Sequence, residues 1–229
     1  MKNFPGNFLS MVGAIAIVVL LISFGPQYPL KTKTSGGDTD RIVPPFSSLS
    51  IAGGFDVAVK QGTQTPIRII ASDKDLPHII TEVIGNTLTI GTDNKGDKNY
   101  HLGKVQIEIT IPVLYNLEIA GSGVVNGSGS FGGGKDMEFD ISGSGTINLD
   151  VNADELEADI AGNGELILSG KAKEADIEIS GSGNFRGEKL ECAKAEISIA
   201  GSGNVFISVS DILEVSIAGS GNVYYSGVP

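Results

Sequence analysis

Ile217-Ala-Gly-Ser-Gly-Asn222 decides how the rest of the chain reads, because five relatives precede it. They are Ile119-Ala-Gly-Ser-Gly123, Ile141-Ser-Gly-Ser-Gly145, Ile160-Ala-Gly-Asn-Gly164, Ile179-Ser-Gly-Ser-Gly-Asn184 and Ile199-Ala-Gly-Ser-Gly-Asn204. Their first glycines are Gly121, Gly143, Gly162, Gly181, Gly201 and Gly219, which gives steps of 22, 19, 19, 20 and 18 residues. The second glycines, Gly123, Gly145, Gly164, Gly183, Gly203 and Gly221, follow two residues later. A fixed period near twenty marks a solenoid, in which each repeat covers the open face of its neighbour.

Alignment on the isoleucine shows the shape of one repeat. Two residues before it stand Leu117, Phe139, Ala158, Ile177, Ile197 and Val215; four before it stand Tyr115, Met137, Leu156, Ala175, Ala195 and Leu213. A period of two places these rows and the isoleucines on one face of a strand. Past the glycines a further apolar row follows: Val125, Ile147, Leu166, Phe185, Val205 and Val223. Each repeat is therefore a strand, a glycine corner, a second strand and a variable return. At such a corner glycine supplies positive φ, or lets stacked coils approach closely. Asn184, Asn204 and Asn222 would stack as an amide ladder. Six copies with no helix or lysine behind them argue against a phosphate cradle. The period also differs from the nine residues of calcium-binding β-rolls.

The chain before the repeats divides in three. Residues 8–25 (FLSMVGAIAIVVLLISFG) carry no charge and follow Lys2, a run long enough to cross a bilayer as a helix. Ser23 and Gly25 would suit signal cleavage, but Pro26 disfavours it, so segment 1–25 reads as a membrane anchor in preference to a cleaved signal. Residues 26–45 form a Pro-, Gly- and Thr-rich linker. Residues 46–229 form the exported domain, with irregular first coils over 46–116 and the six repeats over 117–229. Within the first coils, Ala52-Gly53-Gly54 is a shortened corner, and Ile67–Ile70, Thr87–Ile90 and Lys104–Pro112 are strands. A helical turn is expected around Leu76 to Ile80. The fold class is all-β, a single-stranded parallel β-helix preceded by an N-terminal hydrophobic helix.

Composition excludes several functions. The formal charge of -11 over 229 residues opposes nucleic acid and anionic lipid, so membrane contact is expected only through the N-terminal segment. The lone Cys192 can form no internal disulfide and reads as a small buried thiol. His78 and His101, both expected at the surface, lack metal-ligand spacing. No catalytic, cofactor or metal constellation emerges.

The Gly-Ser-Gly-Asn repeats, following an opening Phe55-Asp-Val-Ala-Val59 and Gln61-Gly62, resemble the family described as putative auto-transporter adhesin, head GIN domain. The resemblance runs from about Phe46 to Tyr225. It implies a right-handed parallel β-helix exported to the periplasm or cell surface in Bacteroidetes-type envelopes, with no established activity. Family members usually continue beyond the last corner, whereas this sequence stops at Val228-Pro229, which would leave the final coil with only a proline to blunt it.

The outward rows are acidic. One residue before the isoleucine stand Glu118, Asp140, Asp159 and Glu178, then Ser198 and Ser216. Three before it stand Asn116, Glu138, Glu157, Asp176, Glu196 and Glu214; five before it stand Asp136, Glu155, Glu174 and Lys194. In register these form a grid about 5 Å apart between coils. Such a face resists sheet-on-sheet aggregation. Its centre, Asp140, Glu157, Asp159, Asp176 and Glu178, is also a candidate surface for weak Ca2+ or a basic partner. Sugar cleavage by paired carboxylates would need a groove with aromatic platforms; there is no Trp, and Phe206, Tyr224 and Tyr225 lie near one end. The expected function is a non-catalytic envelope module, adhesive or binding an envelope or extracellular protein or glycan. The alternatives are a polysaccharide-active enzyme and a tethered structural or sensory domain self-associating end to end through Val223–Ser226.

Overall fold

The computed structural model describes residues 34–35, 37–93 and 101–229; the hydrophobic run and residues 26–33 and 36 of the linker lie outside them. Among the described residues no helix is long and apolar enough to cross a membrane. The chain opens with short strands: β1 (Thr34–Ser35), β2 (Asp38–Arg41), β3 (Ser48–Ala52), β4 (Asp56–Gln61) and β5 (Ile67–Ile70). A 3-10 turn at Leu76–His78 leads to β6 (Ile79–Ile84), β7 (Thr87–Thr92), β8 (Gln106–Ile111) and β9 (Asn116–Gly121). Long bent strands follow: β10 (Val124–Gly143), β11 (Thr146–Gly162), β12 (Glu165–Gly181), β13 (Asn184–Gly201) and β14 (Asn204–Gly219), with β15 (Asn222–Ser226) last. Each long strand carries the second strand of one coil, the return, and the first strand of the next.

The coils stack as a parallel β-helix. Ile119, Ile141, Ile160, Ile179, Ile199 and Ile217 are successive ladder partners, as the repeat alignment requires. The same column continues backwards through Ile51 to Ile90. It is at most 2% exposed from Ile90 to Ile199, and each such side chain stabilises the fold by roughly 1.5–3 kcal/mol.

Sequence order and stacking order differ at the N-terminal end. β3 pairs in parallel with both β7 and β9, and β4 with both β8 and β10. The β3–β4 coil is therefore sandwiched between the layer holding β7 and β8 and the first glycine-cornered coil. Antiparallel pairing takes over outside it, with β6 on β7 and β5 joining β8 to β2. Arg41 ties this cap together by donating from Nη1 to the Ile79 carbonyl (2.7 Å) and Thr81 Oγ1 (2.9 Å), and from Nη2 to the Leu76 carbonyl (3.1 Å). The irregular segment thus closes one end of the solenoid, as arrays of this kind require. The helical turn expected at Leu76 to Ile80 is shorter than the sequence suggests. Ile79 is already extended, at φ -91° and ψ 120°, because Ile79, Thr81 and Val83 alternate along an antiparallel hairpin turning at Gly85-Asn86.

The corners depend on the first glycine of each repeat. Its φ lies between +117° and +144° in all six, a region that L-residues avoid. In the first five its carbonyl accepts an N–H from the coil stacked on it, as in Asn163 N to Gly143 O (2.7 Å) and Ser182 N to Gly162 O (2.8 Å). A Cβ on Gly162 would sit 2.6 Å from the Gly143 oxygen. The second glycine lies outside the positive-φ region but is equally crowded; on Gly145, a Cβ would meet Ile119 Cγ2 at 2.7 Å. The Asn ladder forms as well, Asn204 Nδ2 donating to Asn184 Oδ1 (3.0 Å) and Asn222 Nδ2 to Asn204 Oδ1 (3.1 Å).

Two alanine substitutions separate strain from crowding. Gly85 has φ +63° but open space around its Cβ position, so Gly85→Ala should cost about 1 kcal/mol from backbone strain alone. Gly162→Ala meets strain and the coil beneath it, and should cost at least about 2 kcal/mol. Urea denaturation of the two variants checks the ranking.

Candidate functional site

The acidic rows face outward because their inward neighbours are the buried ladders, and parallel stacking fixes their register. One column runs Ser50, Glu118, Asp140, Asp159, Glu178, Ser198 and Ser216, with carboxylates at its second to fifth positions and serine hydroxyls at the others. A second runs Asn116, Glu138, Glu157, Asp176, Glu196 and Glu214. In the third, Glu155, Glu174 and Lys194 are partners, and the Lys194 ammonium lies 2.8 Å from Glu174. Asp136 does not join this column: the register shifts between Lys135 and Met137, where β11 holds two residues, Asp154 and Glu155, against the single Asp136 of β10.

This stacking brings together all five residues expected at the centre of the face. Asp140 and Asp159 are half-buried between their neighbours, while Glu157, Asp176 and Glu178 are exposed. Burial, reinforced by Glu138, Asp159, Glu118 and Glu157, pushes the Asp140 carboxyl up to about 7. Burial and then Glu178, Glu157, Asp176 and Glu138 push Asp159 up to about 6. Glu157 and Asp176 shift in the same direction, burial again leading. Two polar neighbours relieve the rim: Ser50 Oγ donates to Glu118 Oε2 (3.1 Å), and Asn116 Nδ2 donates to Glu138 Oε2. Among the described residues, no group of three or more His, Cys, Asp or Glu side chains converges into a metal cage. The face is an open array of carboxylates in register.

A second outward column escaped the sequence reading. Asn148, Ile167, Arg186, Phe206 and Tyr224 are successive partners on the second strands. Phe206 and Tyr224 stack at 4.8 Å between ring centroids, 10° from parallel. Arg186 lies 5.8 Å from the Phe206 centroid, and its Nε is 2.6 Å from Glu165 Oε1. The signal was available, since each residue follows the apolar row past the corner by one. His78 is another departure: it is half-buried in the cap, its Nδ1 3.3 Å from the Asp93 carbonyl.

A parallel β-helix with glycine corners and an antiparallel cap is the class of protein that this architecture defines. The chain belongs to the family described as putative auto-transporter adhesin, head GIN domain, whose model matches residues 45–229. Solved structures share the fold. A putative adhesin from Bacteroides fragilis is 22% identical with a TM-score of 0.68, over 82% of this chain and 96% of that one. A putative adhesin from Parabacteroides merdae is 22% identical with a TM-score of 0.61, over 87% and 89%. A protein from Parabacteroides distasonis described as a putative lipid binding protein is 20% identical with a TM-score of 0.61, over 82% and 96%. At these identities the likeness is one of fold. No curated protein matches the chain.

A concavity of about 680 Å³ runs as a groove along the returns of the later coils. Its floor includes Ala153, Ala172, Cys192 and Val209. Both carboxylates on its rim are engaged by lysines, Asp154 by Lys173 (2.7 Å) and Glu191 by Lys171 (3.0 Å). Cys192 Sγ donates to the Lys194 carbonyl (2.8 Å), and burial pushes the thiol up to about 11. The thiolate is the nucleophile, so native Cys192 should resist iodoacetamide at neutral pH and be alkylated once denaturant unfolds the chain. Mass spectrometry before and after unfolding checks this.

Proposed function

We propose that the chain is a non-catalytic binding module of the cell envelope, exported and held to a membrane by its N-terminal segment. In this reading the face centred on Asp140, Glu157, Asp159, Asp176 and Glu178 meets a cationic surface on an envelope or extracellular protein, or a glycan bridged by weakly held Ca2+. The family, whose description names an adhesin, and the adhesin-named structural neighbours support the general class. The observation that carries the reading is the pair of unbroken carboxylate columns. Like charges directly opposite on a sheet weaken it, and the cation in the neighbouring column, Lys194, is already paired with Glu174. A positive partner would turn that repulsion into attraction and steer its own approach.

A second reading, self-association through the last coil, is favoured by a different observation. Ile212, Val215 and Ile217 on β14 are 43–46% exposed, although Ile197 and Ile199, partners of Val215 and Ile217 on β13, are buried. Sedimentation of the detergent-solubilised chain over a range of concentrations separates the two readings.

Binding of the full chain to envelope polysaccharides and envelope proteins, with and without calcium, tests the first reading. A variant with the five central acids changed to Asn or Gln should lose affinity at least about tenfold, with wild-type binding weakening as salt rises. Equal binding by variant and wild type would remove the acidic face from the function.

A further inference from the structure

We propose that the last coil carries a docking surface for a second copy of this chain: the open edge of β14 from Ile212 to Gly219 pairs antiparallel with the same edge of its partner, about a two-fold axis at Val215. The proposal rests on the self-association reading above and gives it a partner strand, a register and a closed stoichiometry.

The edge is free within the chain. β15 pairs with β14 only over Asn204–Ser208. Among the described residues, the stretch from Ile212 to Gly219 therefore has β13 on one side and no strand on the other. An unpaired edge is a template for another strand.

The last coil also departs from the repeat, and in one direction. The outward row that reads Glu155, Glu174 and Lys194 in the coils beneath ends in Ile212, which is 46% exposed. The row that reads Ala175 and Ala195 ends in Leu213, and the row that reads Asp159 and Glu178 continues as Ser198 and Ser216. The resulting stretch, Ile212-Leu-Glu-Val-Ser-Ile-Ala218, is a palindrome in chemical character about Val215.

Antiparallel strands set directly opposite residues side by side on one face of the sheet. With Val215 opposite its own copy, Leu213 meets the partner's Ile217, and Ile212 meets the partner's Ala218. Glu214, the one charged residue between Ile212 and Gly219, meets the partner's Ser216. Every apolar side chain thus gains an apolar neighbour. The carboxylate gains a hydroxyl, as Glu118 already does from Ser50 on the adjacent strand of the same face (3.1 Å). Parallel stacking of the kind used inside the chain sets carboxylate on carboxylate instead, as with Glu196 and Glu214.

The opposite end of the solenoid does not repeat this edge. It is closed by the antiparallel β6–β7 hairpin, with Arg41 donating to the Ile79 carbonyl (2.7 Å). The contact is therefore isologous and stops at two copies, whose solenoids run in opposite directions with their caps at the far ends.

Sedimentation velocity of the detergent-solubilised full chain tests the pairing. Wild type should pass from monomer to dimer as concentration rises and go no further. Added salt should favour the dimer, because it screens the repulsion between two chains of formal charge -11; binding through the acidic face has the opposite salt dependence. Val215 is 46% exposed, so a charge there spares the fold of the single chain. Val215→Asp and Val215→Lys each set like charges across the axis, and each should raise the dimer dissociation constant at least about tenfold. An equal mixture of the two variants should recover the dimer, because opposite charges then face each other. A wild-type chain that stays monomeric at every concentration would overturn both the proposal and the reading beneath it. Assembly beyond two, a Val215→Asp variant that dimerises like wild type, or a mixture that fails to recover would overturn the antiparallel edge while leaving self-association through another surface.

Discussion

The structure depends on the hydrogen bonds that cross its glycine corners. The carbonyls of Gly121, Gly143, Gly162, Gly181 and Gly201 each accept an amide N–H from the coil stacked on them, at 2.7 to 2.8 Å. The chain reaches that distance because no Cβ stands between the corners. Once the corners are locked at one coil spacing, everything attached to the strands must repeat at that spacing. The isoleucines fall into a dry column, the asparagines into an amide ladder, and the return strands into line beneath them. Strength here comes from repetition, since each coil is covered mainly by its two neighbours.

The same constraint has an electrostatic cost. A ladder that superimposes isoleucine on isoleucine must superimpose Asp140 on Asp159 and Glu157 on Asp176. One coil cannot slip to separate its charges without turning its apolar rows outward, because inward and outward residues alternate. Apolar burial is worth kilocalories per side chain, whereas exposed like-charge contacts cost tenths. The core therefore wins, and the charge is held in place.

How much of this is legible in the sequence depends on how strictly a segment repeats. From Asn116 onward, fixed spacing predicts corners, ladders and outward columns residue by residue, and the register agrees with nearly all of it. Asp136 is the exception, because between Lys135 and Met137 the facing strand β11 carries one residue more than β10, and alignment on the isoleucine cannot see that shift. Upstream, strands β5, β7 and β8 could be found from alternation, but not their neighbours. Nothing local in Ser48–Ala52 says that it pairs with both Thr87–Ile90 and Asn116–Ala120, because the chain leaves that coil and returns to it. The Arg186–Phe206–Tyr224 column was open to the same alignment on its other strand. The raised carboxyls of Asp140 and Asp159 needed the structure, since burial is their leading cause.

The most direct test of in-register stacking is a spin-label distance between Ser50→Cys and Ser216→Cys, with the buried Cys192 replaced by Ala. These positions lie on one column, six coil steps apart through Glu118, Asp140, Asp159, Glu178 and Ser198. Stacking at one coil spacing predicts a narrow distribution centred at about 29 Å between backbone positions, before the label arms are allowed for. A broad distribution, or one displaced by a coil or more, would contradict the stacking from which the acidic face follows.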